Sequence, residues 1–197
     1  MPQQQRDLSA LALLLALLVA STPPAGADEI LKAGAFSPPR QAPDFSLRGS
    51  DGSELTLRRY RGRVVVLAFG FTSCIDVCPT TLGVLAQARK QLGEDERALQ
   101  VVYVTVDPER DDVARMRTFL AGFDPTFVGG TGTAEELAAV REEYGILASR
   151  HVVGGSYSVA HSSSAFLIDR SGALRALMPY GHTADDYVHD VRILLKE

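Results

Sequence analysis

The chain has only two cysteines and four histidines in 197 residues, and nowhere a run of lysine or arginine. So few cysteines rule out a small scaffold stapled by disulfides, and a chain this long builds a sufficient core without one. With no basic stripe and a formal net charge of -4, it leaves no electrostatic footprint for nucleic acid. The same lack of a basic cluster removes attachment to an anionic membrane surface. Neither a G-x-G-x-x-G nor a P-loop stands at any strand-to-helix turn, which removes the common nucleotide-binding signatures. Repeats and low-complexity tracts are also missing, and the length fits one domain with terminal extensions.

No apolar run reaches the roughly 20 residues that a membrane-spanning helix needs. The longest, Leu8 to Ala20, has 13 residues, follows a short polar start with Arg6, and is broken by Ser21-Thr22-Pro23-Pro24. Ala25-Gly26-Ala27 then supplies small residues in the A-x-A arrangement. That order is the one found in a secretory signal, so residues 1–27 are expected to be a signal peptide or a retained membrane anchor. No cysteine follows the run, which argues against a lipid anchor. Residues 28–41, with Pro38 and Pro39, read as a linker, and 42–197 as the folded domain.

Within the domain, Phe45 to Leu47 and Glu54 to Leu57 flank Gly49-Ser50-Asp51-Gly52, a hairpin signal. Val64 to Phe69 and Leu99 to Val106 are apolar, largely β-branched runs suited to buried strands. Helical spacing follows Pro79, opens at Asp111-Asp112, opens again at Thr133 with Glu136 as a capping-box partner, and closes the chain from Ala184 to Lys196. Phe127-Val128, Tyr157 to Val159, Ala165 to Ile168 and Ala173 to Met178 read as strands. Alternating strands and helices with a final antiparallel hairpin predict an α/β domain with a central mixed β-sheet flanked by helices.

The chemistry concentrates between the first buried strand and its helix, at the sheet edge where ligands bind in α/β folds. Cys74 and Cys78 are four apart, so on a helical turn their sulfurs face the same way. A helix amino terminus lowers a thiol's pKa and favours the thiolate that binds metal or attacks disulfides. After export such a pair forms a structural disulfide by default, but a loop this small would constrain the unfolded chain very little. His161, between two expected strands, is the best third ligand. Two thiolates and an imidazole suit Cu(I) and Cu(II), and the same set is compatible with zinc. His151, His182 and His189 read as ordinary surface or turn histidines. Asp76 and Asp107 read either as partners of the site or as a helix-start anion and a turn former.

The segment Phe71-Thr72-Ser73-Cys74-Ile75-Asp76-Val77-Cys78-Pro79 resembles the F-T-x-C-P-D-x-C-P signature of the Sco/SenC family, copper chaperones of cytochrome c oxidase assembly. Val106 to Asp111 is similar to that family's V-D-P-x-R-D turn, Gly130 to Thr133 to its G-T-G-T-like turn, and Tyr157 to Ser162 to its Y-x-V-D-H-S strand end. The resemblance runs from Ala42 to Leu195. It implies a thioredoxin-like fold in which Cys74, Cys78 and His161 hold copper. It further implies an extracytoplasmic location, in the bacterial periplasm or the mitochondrial intermembrane space, the periplasm being the expectation here, with the domain soluble or tethered to the inner membrane. The implied partner is the copper-bearing subunit of cytochrome c oxidase, with other copper carriers and thiol reductases beside it. Ile75 stands where the family has proline, and Ala160 where an acidic residue often precedes the histidine, which would remove support from that position. A thiol-disulfide oxidoreductase using the Cys74/Cys78 pair is the competing function, although redox thioredoxins use C-x-x-C. A peroxiredoxin-type peroxidase fits poorly, because Thr72 precedes Cys74 by two residues rather than three.

Overall fold

Two apolar runs lie side by side at the centre of the fold. They are β4 (Val64–Gly70) and β5 (Leu99–Thr105), parallel and in register from Val64 opposite Leu99 to Gly70 opposite Thr105. The computed structural model describes residues 30–197, so the expected signal or anchor at 1–27 lies outside the described residues. Every residue of both strands is buried, as continuous apolar strands must be when both faces of the sheet are covered. β6 (Val128–Thr131) extends the parallel set, and β9 (Ala165–Ile168) pairs antiparallel on the other side of β4. Beyond β9 come β10 (Ala173–Met178) and β1 (Gly34–Gln41). Beyond β6 come β2 (Leu47–Gly49) and β3 (Glu54–Leu55), the expected hairpin. The order β1-β10-β9-β4-β5-β6-β2-β3 is a mixed sheet, and the sequence expectation holds.

Helices α1 (Val77–Gln91), α2 (Val113–Ala121), α3 (Ala134–Tyr144) and α4 (Ala184–Lys196) flank the sheet. Tyr144 of α3 packs on Phe69 and Phe166, with ring centroids 5.7 and 5.1 Å away. α2 buries Met116 and Leu120 completely, each burial contributing about 2 kcal/mol. It lies so close to β6 that a Cβ on Gly129 would come within 2.7 Å of Met116 Cε and 2.9 Å of Leu120 Cδ1. The strand expected to stop before Gly129 therefore continues through it, because glycine is what lets the helix approach. Thr133 and Glu136 form the expected capping box, and Thr183 with Asp186 forms another at the start of α4.

Two expectations need correction. The linker expected over 28–41 gives way at Gly34 to β1, which pairs antiparallel with β10. Its prolines are accommodated because it is an edge strand whose register shifts between Ala35 and Arg40. Just ahead of it, the Lys32 and Ala33 amides donate to the Asp190 carboxylate of α4 at 2.7 and 2.9 Å. The other correction is a strand not expected at all, β7 (Ala148–Val153), which pairs with β8 (Ser156–His161) as a separate two-stranded sheet. Gly154 and Gly155 turn the hairpin with φ of 53° and 82°, a pair of positive values that glycine adopts without strain. Among the described residues, no helix is long and apolar enough to cross a membrane.

Candidate metal centre

β4 ends at Gly70, and the chain leaves the sheet through a short turn in which the Cys74 amide donates to Phe71 O at 3.3 Å. A fully buried carboxylate fixes the start of that turn. Asp111 accepts from the Thr72 amide (2.9 Å), the Thr72 hydroxyl (2.5 Å) and the Thr105 hydroxyl (2.7 Å). Arg115 adds bonds to Thr72 Oγ1 (2.6 Å) and Ser73 Oγ (3.0 Å), from the exposed side. Such bonds to an ionised group contribute about 1.5–3 kcal/mol each, more than neutral ones.

α1 begins at Val77, two residues before Pro79, which occupies the first turn where its missing N–H is not needed. Asp76 holds the N-cap position, is exposed, and makes no side-chain cap bond. The Cys78 amide donates instead to Cys74 Sγ at 3.4 Å, so a sulfur receives one of the free N–H groups of the helix start. Ile75 is 96% exposed at the tip of the turn. Both cysteines are free thiols, Cys74 half-buried and Cys78 buried.

His161 ends β8 and meets the turn from the opposite side, with Nε2 3.5 Å from Cys78 Sγ. Its Nδ1 lies 2.7 Å from Ser162 O, a carbonyl that only accepts, so Nδ1 carries the proton and the Nε2 lone pair faces the sulfur. The ring packs edge-on to Phe71, centroids 5.8 Å apart. Burial lowers the imidazole pKa, opposed in part by the bond to Ser162, which keeps the ring neutral at neutral pH. Burial likewise pushes the Cys78 thiol up to about 12. A metal ion must therefore displace a proton to bind there, as thiolate ligation requires.

Of the residues expected at the site, Cys74, Cys78 and His161 are brought together in pairs, with Cys78 between the other two. Among the described residues, no three His, Cys, Asp or Glu side chains already converge as a closed metal cluster. His151, His182 and His189 lie elsewhere, beside Ser149, Asp186 and Asp190. Asp107 touches none of the three donors in a hydrogen bond. It is buried, forms an ion pair with Arg110, and accepts from the Tyr157 hydroxyl at 2.7 Å. Tyr157 lies on the strand that ends in His161, and its ring is stacked between the guanidinium groups of Arg110 (3.9 Å) and Arg150 (3.5 Å). Arg110 also donates to Tyr157 O at 3.2 Å. Asp107 thus ties down the arm bearing His161. Ala160 faces outward on β8, where exposed and half-buried residues alternate, so an acidic side chain there would point away from the imidazole.

Sequence reasoning missed Asp111 as a buried acceptor, Thr72, Thr105 and Arg115 around it, and Tyr157 as the clamp. Asp107, Arg110, Asp111 and Tyr157 all stand in the motifs quoted above, which was the available signal.

A mixed sheet with a dithiol turn at the edge of its central strands, faced by an imidazole, defines a thioredoxin-like protein equipped for thiol or metal chemistry. The chain belongs to the SCO1/SenC family, whose profile matches residues 35–196. It is 34% identical over 153 residues to the mitochondrial SCO2 homolog of mouse, covering 76% of this chain and 60% of that one. It is 31% identical over 170 residues to an SCO2-like protein of Rickettsia felis, covering 84% and 80%. The fold matches that of Bradyrhizobium japonicum ScoI with copper bound, at TM-score 0.72 and 29% identity, covering 77% of this chain and 98% of that one. The chain spans about half to three fifths of the length of the mitochondrial relatives it matches.

Proposed function

We propose that this protein is a copper metallochaperone that takes up Cu(I) or Cu(II) through Cys74, Cys78 and His161 and passes it to the copper-bearing subunit of cytochrome c oxidase. The observation that carries the reading is the 3.5 Å approach of His161 Nε2 to Cys78 Sγ, with Nδ1 committed to Ser162 O. That arrangement leaves an imidazole lone pair and a sulfur aimed at one space, one turn from a second thiol. Soft sulfur donors select Cu(I), and the imidazole adds affinity for Cu(II). The family is tied to copper delivery in oxidase assembly, and the copper-bound ScoI supports the same cargo here. The binuclear copper centre of the oxidase is the proposed destination. The proposed setting is extracytoplasmic, in the bacterial periplasm, with residues 1–27 as signal or membrane tether.

Two free thiols on one turn favour a second activity, thiol-disulfide reduction. In that cycle Cys74 and Cys78 give two electrons and two protons to the disulfide of a target protein and are left bridged to each other. Preparing the target's cysteines in this way before delivering copper would use the same two sulfurs.

His161→Ala separates the two readings. Under anaerobic titration of the reduced protein, Cu(II) affinity should fall more steeply than Cu(I) affinity, while reduction of a model disulfide persists. A Cys74→Ser, Cys78→Ser protein should lose both. Copper retention by that double variant equal to wild type would sink the chaperone reading. Full copper affinity and full oxidase assembly in His161→Ala would move the reductase ahead.

A further inference from the structure

Tyr103 sits on β5 with 1% of its surface exposed and its ring 6.3 Å from that of Phe119 on α2. Its hydroxyl is buried and forms no hydrogen bond of good geometry, the Cys78 sulfur being the polar group nearest to hand. A phenol deep in a sheet normally brings a partner with it, because an unpaired hydroxyl there is costly. The missing side chain of Gly70 shows what the oxygen faces. A Cβ on Gly70 would come 1.9 Å from Tyr103 Oη and 2.9 Å from Cys78 Sγ. Oxygen and sulfur therefore flank the same small gap, at a separation that cannot exceed the sum of those distances. Glycine at the last position of β4 is what keeps the gap open.

We propose that Tyr103 is a positioning residue whose hydroxyl donates an O–H···S hydrogen bond to the Cys78 thiolate in the copper-loaded protein. The inference rests on the copper-binding reading above and adds a residue to it. A neutral thiol is a weak acceptor. When copper binds, the thiol proton passes to solvent, and the sulfur becomes an ionised acceptor in surroundings of low dielectric. The hydroxyl, which has no well-formed bond in the free protein, then has a charged acceptor. Hydrogen bonding around a ligating sulfur tunes a copper site by drawing electron density off the ligand. Donation to Cu(II) suffers most, so Tyr103 shifts the preference of the site toward Cu(I).

Tyr103→Phe tests this, since it removes one oxygen and keeps the ring. The reduced protein is loaded anaerobically with one equivalent of Cu(I) or Cu(II), beside wild type and a Phe119→Leu control that disturbs the same packing but keeps the hydroxyl. In Tyr103→Phe the sulfur-to-Cu(II) charge-transfer band should move to lower energy, and the ratio of Cu(II) to Cu(I) affinity should rise about tenfold. The metal-free variant should unfold at the same temperature as wild type or higher. Phe119→Leu should lower the unfolding temperature and leave the band in place. An unchanged band and affinity ratio in Tyr103→Phe would overturn the proposal, as would a metal-free variant less stable than wild type. Failure of wild type to bind copper at all would instead overturn the chaperone reading beneath it.

Discussion

The two sides of the site are held by opposite means. Cys74 and Cys78 follow a strand whose residues are all buried, and their turn is fastened by a carboxylate with no solvent exposure. His161 arrives on a hairpin outside the main sheet, alternating between exposed and half-buried residues, and fastened by Tyr157, Asp107 and Arg110. The sulfur side draws its position from the hydrophobic core, and the imidazole side from a few polar contacts. Errors on the first side should therefore cost folding, while errors on the second should cost ligand geometry and leave folding nearly intact.

Asp111→Ala should have the largest effect. It strips three donors of their acceptor in a buried place and should cost about 3 kcal/mol in chemical denaturation. A loss under about 1 kcal/mol would show that the turn does not depend on this anchor. Tyr157→Phe comes next. Removing the hydroxyl frees the hairpin from Asp107 and should weaken Cu(II) binding about tenfold, at a stability cost of only about 1 kcal/mol. Equal losses in folding and in binding would erase the proposed contrast between the two sides. Ala160→Glu should do least. Its side chain points away from His161, so stability should stay within about 0.5 kcal/mol and copper affinity within about twofold. A clear gain in copper affinity would mean that the carboxylate reaches the imidazole after all.

The central strands and the closing helix were legible because their apolar residues carry the pattern by themselves. The nearness of Cys74, Cys78 and His161 was legible too, through motifs rather than spacing, since 83 residues separate Cys78 from His161. What escaped depends on partners far along the chain. Asp111 reads as a helix-start anion in sequence, yet Thr72, 39 residues earlier, makes it a buried acceptor. β1 was hidden by its prolines and exposed side chains, which only an edge position explains. β7 was hidden by polar residues that no core requires to alternate with apolar ones. Gly129 and Gly130 look like a stop and instead continue a strand, for a reason that resides in α2 and in the β2–β3 hairpin.

The register of the outer strands fixes where the chain enters the domain. Gly34 stands opposite Leu177, Leu177 opposite Phe166, and Phe166 opposite Leu67, so β1 begins level with the middle of β4 and runs from there toward the end where β4 starts. Three strand spacings, about 14 Å, separate the two strands across the sheet. A tether joined ahead of β1 would thus pull on an edge strand at mid-height of the sheet, three residues short of the level at which β4 gives way to the cysteine turn. The load would reach the sulfurs only across β10 and β9, so the cysteine turn would stand apart from the point of attachment by the width of those strands.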